Sequence, residues 1–287
     1  MGIERARGME SSSESGDDVE SSSSSDEDDP ERAIFAAVEK CDVDGLRRCL
    51  AAGVDPDVLQ TGSFYPGLNG HSPLCVLVTF HQRTRPARRL QEKLECISVL
   101  LEAGASVDLR HYDSLHPLTG RTPLHRIAIN RSRAYHAVIA ALVEAGADVN
   151  FTDEHGKSVL ATAARHGSAA AVRTLISAGA VDLDRALEVA ISHGTQRNCA
   201  PLLRAGAAIP AETLIDIQTL GVSGSAVLAR LEDRRTYIRK IRAAGGYKSY
   251  ENAHRQRLVA IFAPKFPHLP ADMLGRVLEY SWDIGGH

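Results

Sequence analysis

Apolar residues recur along this chain in short bursts of helical period. Ala33, Ile34, Ala36, Ala37 and Val38 begin one burst near Glu31, Leu94, Ile97, Leu100 and Leu101 make another, and Leu124, Ile127 and Ala128 fall at i, i+3 and i+4. No burst approaches the ~18 apolar residues of a transmembrane helix. Between the bursts a small phrase returns: Ala-Ala-Gly-Val around Gly53, then Ala-Gly-Ala around Gly104, Gly146, Gly179 and Gly206, at spacings of 51, 42, 33 and 27 residues. A glycine just past a helix suits the left-handed conformation that commonly ends one. A second phrase opens several units: Ser72-Pro73-Leu74-Cys75, Thr122-Pro123-Leu124-His125 and the degenerate Ser158-Val159-Leu160-Ala161. Proline is at home in the first helical turn, and Thr122 can cap the helix that follows.

The distance from the first-helix Leu or Ile to the closing glycine is 19 residues for Ile34–Gly53, Leu160–Gly179 and Leu187–Gly206, but 30 for Leu74–Gly104 and 22 for Leu124–Gly146. Five helix-pair units follow, at about 31–60, 70–112, 119–152, 153–182 and 183–209. The second carries an insert at 81–93 between its helices. Beyond Pro210 the period stops. Ala211–Leu220 predicts a short helix and Ser225–Ala244 a longer one, ended by Gly245-Gly246. Arg255–Pro264 reads as a short apolar segment, and a last helix runs from Leu269-Pro270 to Trp282.

Charge divides the chain further. Residues 1–30 hold ten acids and two bases, so the overall net charge of −3 splits into −8 there and +5 in the rest. Nine serines and nine acids fill 9–30, a composition that cannot bury enough apolar surface to order itself, so this segment is expected to be a disordered tail. A body of +5 does not predict a nucleic-acid binder. The N-terminus has no apolar secretory stretch. The five cysteines form no CxxC pair; four lie in apolar helical runs and Cys199 among small and apolar residues, which predicts reduced core thiols and a cytoplasmic or nuclear protein.

The stretch Gly120-Arg-Thr-Pro-Leu-His-Arg-Ile-Ala, with Ala-Leu-Val-Glu-Ala-Gly-Ala-Asp-Val-Asn150 after it, resembles the ankyrin-repeat consensus. The resemblance covers 31–209. It implies an all-α solenoid with β-hairpin fingers, followed here by a helical C-terminal region at 210–287, and a protein that binds a protein target and does not catalyse. The sequence contains no GxGxxG, GxxxxGK[ST], GxSxG or HExxH motif, and its twelve histidines form no zinc spacing, so no enzyme, cofactor or metal is expected. His125 and His166 stand where the family uses histidine structurally. Cys96, on an apolar stripe, reads as core and not as a nucleophile.

Two features invite a partner. Arg83, Arg85, Arg88, Arg89 and Lys93 place five cations in the insert, either as a solvated loop or as a contact for an acidic partner, an import receptor or the acidic tail. Phe64, Tyr65, His111, Tyr112 and Phe151 fall in finger loops as possible anchors, with Phe151 the one expected to pack.

At the C-terminus, Leu269-Pro270-Ala-Asp-Met273-Leu274-Gly-Arg-Val277-Leu278 resembles the opening of an F-box, and F-box-like 269–282 behind repeats resembles the PRANC arrangement of poxvirus ankyrin proteins. That resemblance implies docking of Leu269, Pro270, Leu274, Val277 and Leu278 on the Skp adaptor of a host cullin–RING ubiquitin ligase. The alternatives are a plain solenoid cap and a SOCS-box-like ending, and Gly275 is expected to interrupt the helix. In the tail, Ser11, Ser15, Ser23, Ser24 and Ser25 each precede an acid by three residues, the pattern of acidophilic casein-kinase-type phosphorylation.

Overall fold

A computed structural model describes residues 30–61, 70–79, 86–111, 120–132, 135–193, 195–209 and 236–283. The acidic tail lies outside this set, as do 210–235, with the short helix expected at 211–220 and the first part of the one expected at 225–244. Ten helices form five consecutive pairs: α1 (Pro30–Lys40) with α2 (Val43–Ala51), α3 (Pro73–Thr79) with α4 (Pro86–Glu102), α5 (Pro123–Ala128) with α6 (His136–Glu144), α7 (Val159–His166) with α8 (Ala169–Ser177), and α9 (Leu183–His193) with α10 (Gln196–Arg204). First helices stack on first helices, α1 on α3 on α5 on α7 on α9. Second helices stack likewise from α2 to α10, which makes a two-layer solenoid.

The local reasons are those of the sequence. Ser158 and Ser168 accept the N–H of Ala161 and Ala171 at 3.1 Å, and Thr122 accepts that of His125 at 3.5 Å, so hydroxyls cap α5, α7 and α8. Pro123 follows its cap directly. The closing glycines all sit at φ between +89° and +98°. At each, the glycine N–H bonds the carbonyl three residues back and the next residue's N–H the carbonyl five back, as in Gly146→Val143 at 2.9 Å and Ala147→Leu142 at 3.0 Å. That pair of bonds satisfies the helix's last carbonyls and turns the small residue after glycine into the core.

Between the layers lies one aliphatic core that includes Ile34, Leu46, Leu74, Leu100, Leu124, Leu142, Leu160, Leu175, Leu187 and Leu202. The first helices are the more deeply sunk: every residue of α5 is buried. Neighbouring repeats approach closely at Gly167, where an added Cβ would lie 2.3 Å from the carbonyl oxygen of Ala128 and 2.8 Å from that of Ala163.

Among the described residues the finger stems close by isolated antiparallel bridges, His111 to Arg121 and Thr152 to Ser158. Two expectations need correction. The insert is not all loop, because α4 begins at Pro86 and runs 17 residues. Cys41 does not lie in a helix but in the α1–α2 turn at φ +53°, and Cys41 and Cys49 are half-buried; Cys75, Cys96 and Cys199 are core residues as expected.

After repeat five, residues 236–243 form α11, closed by Gly245 and Gly246 at φ +78° and +123°. α12 (Tyr247–Phe262) is far longer than the apolar segment predicted at 255–264; after it come a 3₁₀ turn (Ala263–Lys265) and α13 (Ala271–Asp283), which passes through Gly275 without a break. Ile238, Ile241 and Tyr247 join the solenoid core. Tyr237 meets Tyr250 edge-on at 5.8 Å, and Arg204 of α10 donates through Nε to Glu251 of α12 at 2.8 Å. α11 and α12 therefore cover the open end of repeat five, and α13 packs on α12.

Candidate interaction surface

The rim of the solenoid is tied by a recurring side-chain bond. The residue four after each of the first three closing glycines bonds the backbone N–H two after the next: Asp57 accepts from Ser106 at 2.9 Å, Asp108 from Asp148 at 2.9 Å, and Asn150 from Val181 at 3.1 Å. In the fourth step Asp184 accepts from Ala208 at 2.7 Å. These bonds hold the finger bases in one register along one edge.

From that edge rise the finger stems. Gln60 and Gly70 exchange backbone bonds with His71 and Gln60 at 2.9 and 2.8 Å, and His111 and Gly120 with Arg121 and His111 at 3.1 and 3.0 Å. Residues 62–69 and 112–119 lie outside the described residues, and with them the candidate anchors Phe64, Tyr65 and Tyr112. His111 is no exposed anchor: it is fully buried, stacked on His71 at 5.1 Å, with Nδ1 near Gly70 O at 3.3 Å and Nε2 near Ser72 Oγ at 3.4 Å. Phe151 packs, as expected, edge-on against His125, with the Arg110 guanidinium 4.6 Å from its centre.

His125 is a structural residue. Its ring spans Thr122 Oγ1 at 3.0 Å and Lys157 O at 3.3 Å, joining repeats three and four. Burial pushes both His111 and His125 down to about 4, so both are neutral near pH 7. Arg121 donates to Asp153 at 3.3 Å, and that carboxylate, through its other oxygen, also accepts from His155 N and Lys157 N, so it is fully occupied inside its own turn.

The basic insert divides. Lys93 is buried: its ammonium donates to Leu77 O at 2.7 Å, at the end of α3, and lies over the Tyr135 ring at 5.2 Å, and burial lowers its pKa to about 8. It is a helix-capping core residue and no part of a surface cluster. Arg83 and Arg85, and the side chains of Arg88 and Arg89, lie outside the described residues. Burial also pushes the Cys75 and Cys96 thiols up to about 12, which makes them poor nucleophiles.

Another set of cations went unremarked in the sequence. Arg126 on α5, Arg131 just after it, and Arg165 at the end of α7 have no carboxylate within ion-pair distance among the described residues. Arg126 is only 9% exposed, and its Nη2 donates to the His71 ring at 2.7 Å. His166 feels Arg165, His193, Arg121 and Arg131, which together lower its pKa beyond what burial does. The one available signal was Arg immediately after His125 and before His166, positions overshadowed by the histidines beside them.

At the C-terminal end, Leu274 is 4% exposed and faces inward, whereas Met273 is 50% and Val277 58% exposed. Leu269 is half-buried and Pro270 exposed; the side chain of Leu278 lies outside the described residues. The predicted single apolar face is thus split. Leu274 belongs to the fold and is withdrawn from the docking set, whereas Val277 is displayed. The phosphorylation candidates Ser11, Ser15, Ser23, Ser24 and Ser25 lie outside the described residues.

Among the described residues no group of His, Cys, Asp and Glu is arranged to hold a metal, and no helix is long and apolar enough to cross a membrane. Residues 87–185 and 127–212 match the family model described as Ankyrin repeats (3 copies). No curated protein matches the chain. The family match thus spans residues 87–212, where the recurring glycine turns and the two-layer helix stack have the architecture of ankyrin repeats; such repeats indicate a role in protein–protein interaction and are typically non-enzymatic.

Proposed function

We propose that the chain is a substrate-recruiting adaptor of a host cullin–RING ubiquitin ligase in the cytoplasm or nucleus. Its repeats hold the target, and its last helix engages the Skp adaptor, as the resemblance of 269–282 to F-box and PRANC endings implies. The observation that supports this reading is the placement of α13. It packs on α12, and it leaves Met273 and Val277, one helical turn apart, exposed. Large apolar side chains displayed side by side on a helix are what helix-in-groove recognition uses.

The test is co-precipitation with thermal melts. Met273→Glu with Val277→Glu abolishes capture of the Skp adaptor and leaves both the melt and target binding unchanged. Replacing Phe64 and Tyr65 with Ala does the reverse. Wild-type protein that captures neither Skp adaptor nor cullin rejects the ligase role.

A second reading has its own support. Leu274 is buried and α11–α12 close the solenoid, as expected of a cap on a scaffold that blocks its target by occupancy. It predicts that Leu274→Ala lowers the melting temperature of the repeats and that no ligase component is captured.

A further inference from the structure

The arginines without carboxylates lie in the layer of first helices. Arg126 and Arg131 belong to repeat three, and Arg165 with His166 ends the first helix of repeat four. Their positive charges reinforce one another: Arg121 is within electrostatic reach of both Arg126 and Arg165, and His166 of Arg131 and Arg165. The nearby carboxylate of Asp153 is consumed by Arg121 and two backbone N–H groups. Arg126 is the strongest sign of an absent anion. It is a guanidinium more than nine-tenths buried, hydrogen-bonded to an imidazole and to no carboxylate among the described residues, and its buried Nε has no acceptor. Burying a charge that lacks a counter-charge is costly, so its retention needs a reason.

The chain carries its own candidate occupant. Residues 10–29 hold nine acids and no base, and they enter the fold at Pro30, the first residue of α1. α1 stacks on α3, α3 on α5 and α5 on α7. At ~8–10 Å between packed helices, Arg126 and Arg165 lie ~20–30 Å along the layer from that entry point. A twenty-residue segment reaches at most ~70 Å when extended and ~25 Å as a flexible coil. The distance, the charge and the point of attachment agree.

We propose that the row Arg126, Arg131 and Arg165 is a docking site for the chain's own acidic segment 10–29, which covers the first-helix face of repeats three and four until a target displaces it. The site is independent of the ligase reading and regulates target binding whichever role the C-terminus has.

The test titrates a fluorescent synthetic peptide of residues 10–29 into full-length protein. The wild type is compared with a full-length variant whose nine acids in 10–29 are changed to Asn or Gln. The neutralised variant binds the peptide, more weakly as salt rises. The wild type binds it at least roughly tenfold more weakly, because a tethered segment competes at an effective concentration of order mM. In the neutralised background, Arg131→Glu with Arg165→Glu lowers affinity at least roughly tenfold, whereas Arg88→Glu with Arg89→Glu in the insert leaves it unchanged. Because Arg131 is exposed and Arg165 half-buried, this pair spares the core, and a melt confirms folding. The proposal is overturned by absence of peptide binding to the neutralised variant, by equal binding to the wild type (which makes the row a site for other proteins' acidic segments), or by a loss confined to the Arg88/Arg89 variant.

Discussion

Acidification provides a direct measure of how tightly the repeats are joined. His111 and His125 sit at the junctions of repeats two with three and three with four, fully buried, and burial holds each at about 4 against an ordinary 6.5. The unfolded chain therefore takes up protons on these rings below pH 6.5 while the folded chain resists until about pH 4. The folded state loses stability as pH falls through that window, since the unfolded state binds more protons. Between pH 7 and pH 5 the loss is about 1.8 kcal/mol for each ring, and ~3.5 kcal/mol for both. His166, lowered as well, acts in the same direction, while Glu39 and Asp108, whose carboxyls burial raises, oppose it at the acid end. Urea unfolding followed by circular dichroism at pH 7, 6 and 5 at fixed ionic strength reads the slope. His125→Gln removes about half of it, since Gln can still donate to Lys157 O. A stability constant within ~0.5 kcal/mol from pH 7 to pH 5, or a slope that survives replacement of both histidines, refutes the argument.

Packing offers simpler tests. Leu175→Ala, in the fully buried seam of repeat four, costs ~2–5 kcal/mol by urea melt, and neighbouring repeats uncouple. Gly167→Ala, whose Cβ would meet the Ala128 carbonyl at 2.3 Å, costs at least ~2 kcal/mol by the same measurement, with no change at Gly275→Ala, where nothing lies within reach, beyond a gain of up to ~1 kcal/mol from helix propensity. Asn198 donates to Ala163 O, Ala164 O and Gly167 O at 3.0–3.3 Å, so Asn198→Leu strands carbonyls at the end of α7 and costs ~1–3 kcal/mol. Casein-kinase-type phosphorylation at Ser11, Ser15, Ser23, Ser24 and Ser25, each adding about −1.5 to −2 charge, tightens the tail's hold on the solenoid; mass spectrometry and peptide titration at low salt check both parts.

The repeat architecture was legible because its signals are local. A glycine forced to positive φ, a proline in a first turn and a hydroxyl cap each dictate conformation within four residues, and all five glycine turns stand where the spacing predicts. What depended on distant neighbours was not legible. Lys93 reads as a surface cation until α4 turns its stem under α3, where the ammonium finds a helix-end carbonyl. α12 was underestimated because its first half is held by Tyr237, Tyr250 and the Arg204–Glu251 pair, polar and aromatic contacts that give no apolar period. Leu274 and Val277 share a stripe in the sequence, but only the position of α12 decides which of them is covered. The cations at Arg126, Arg131 and Arg165 are ordinary surface letters in a sequence, and only their lack of carboxylates in space among the described residues sets them apart.

The rim bonds from Asp57, Asp108, Asn150 and Asp184 are indexed to the closing glycines and to nothing else. The glycines stand 51, 42, 33 and 27 residues apart, yet the donor in every case is the N–H two residues past the next glycine. Each repeat is thus re-phased at its own turn, and length added or removed between turns is forgotten before the next begins. Evolution can lengthen a finger or splice an insert between two helices without disturbing the downstream register. New recognition loops can arise there by insertion alone, and a protein engineer grafting a binding loop at 62–69, 80–85 or 112–119 can expect the remaining stack to keep its geometry.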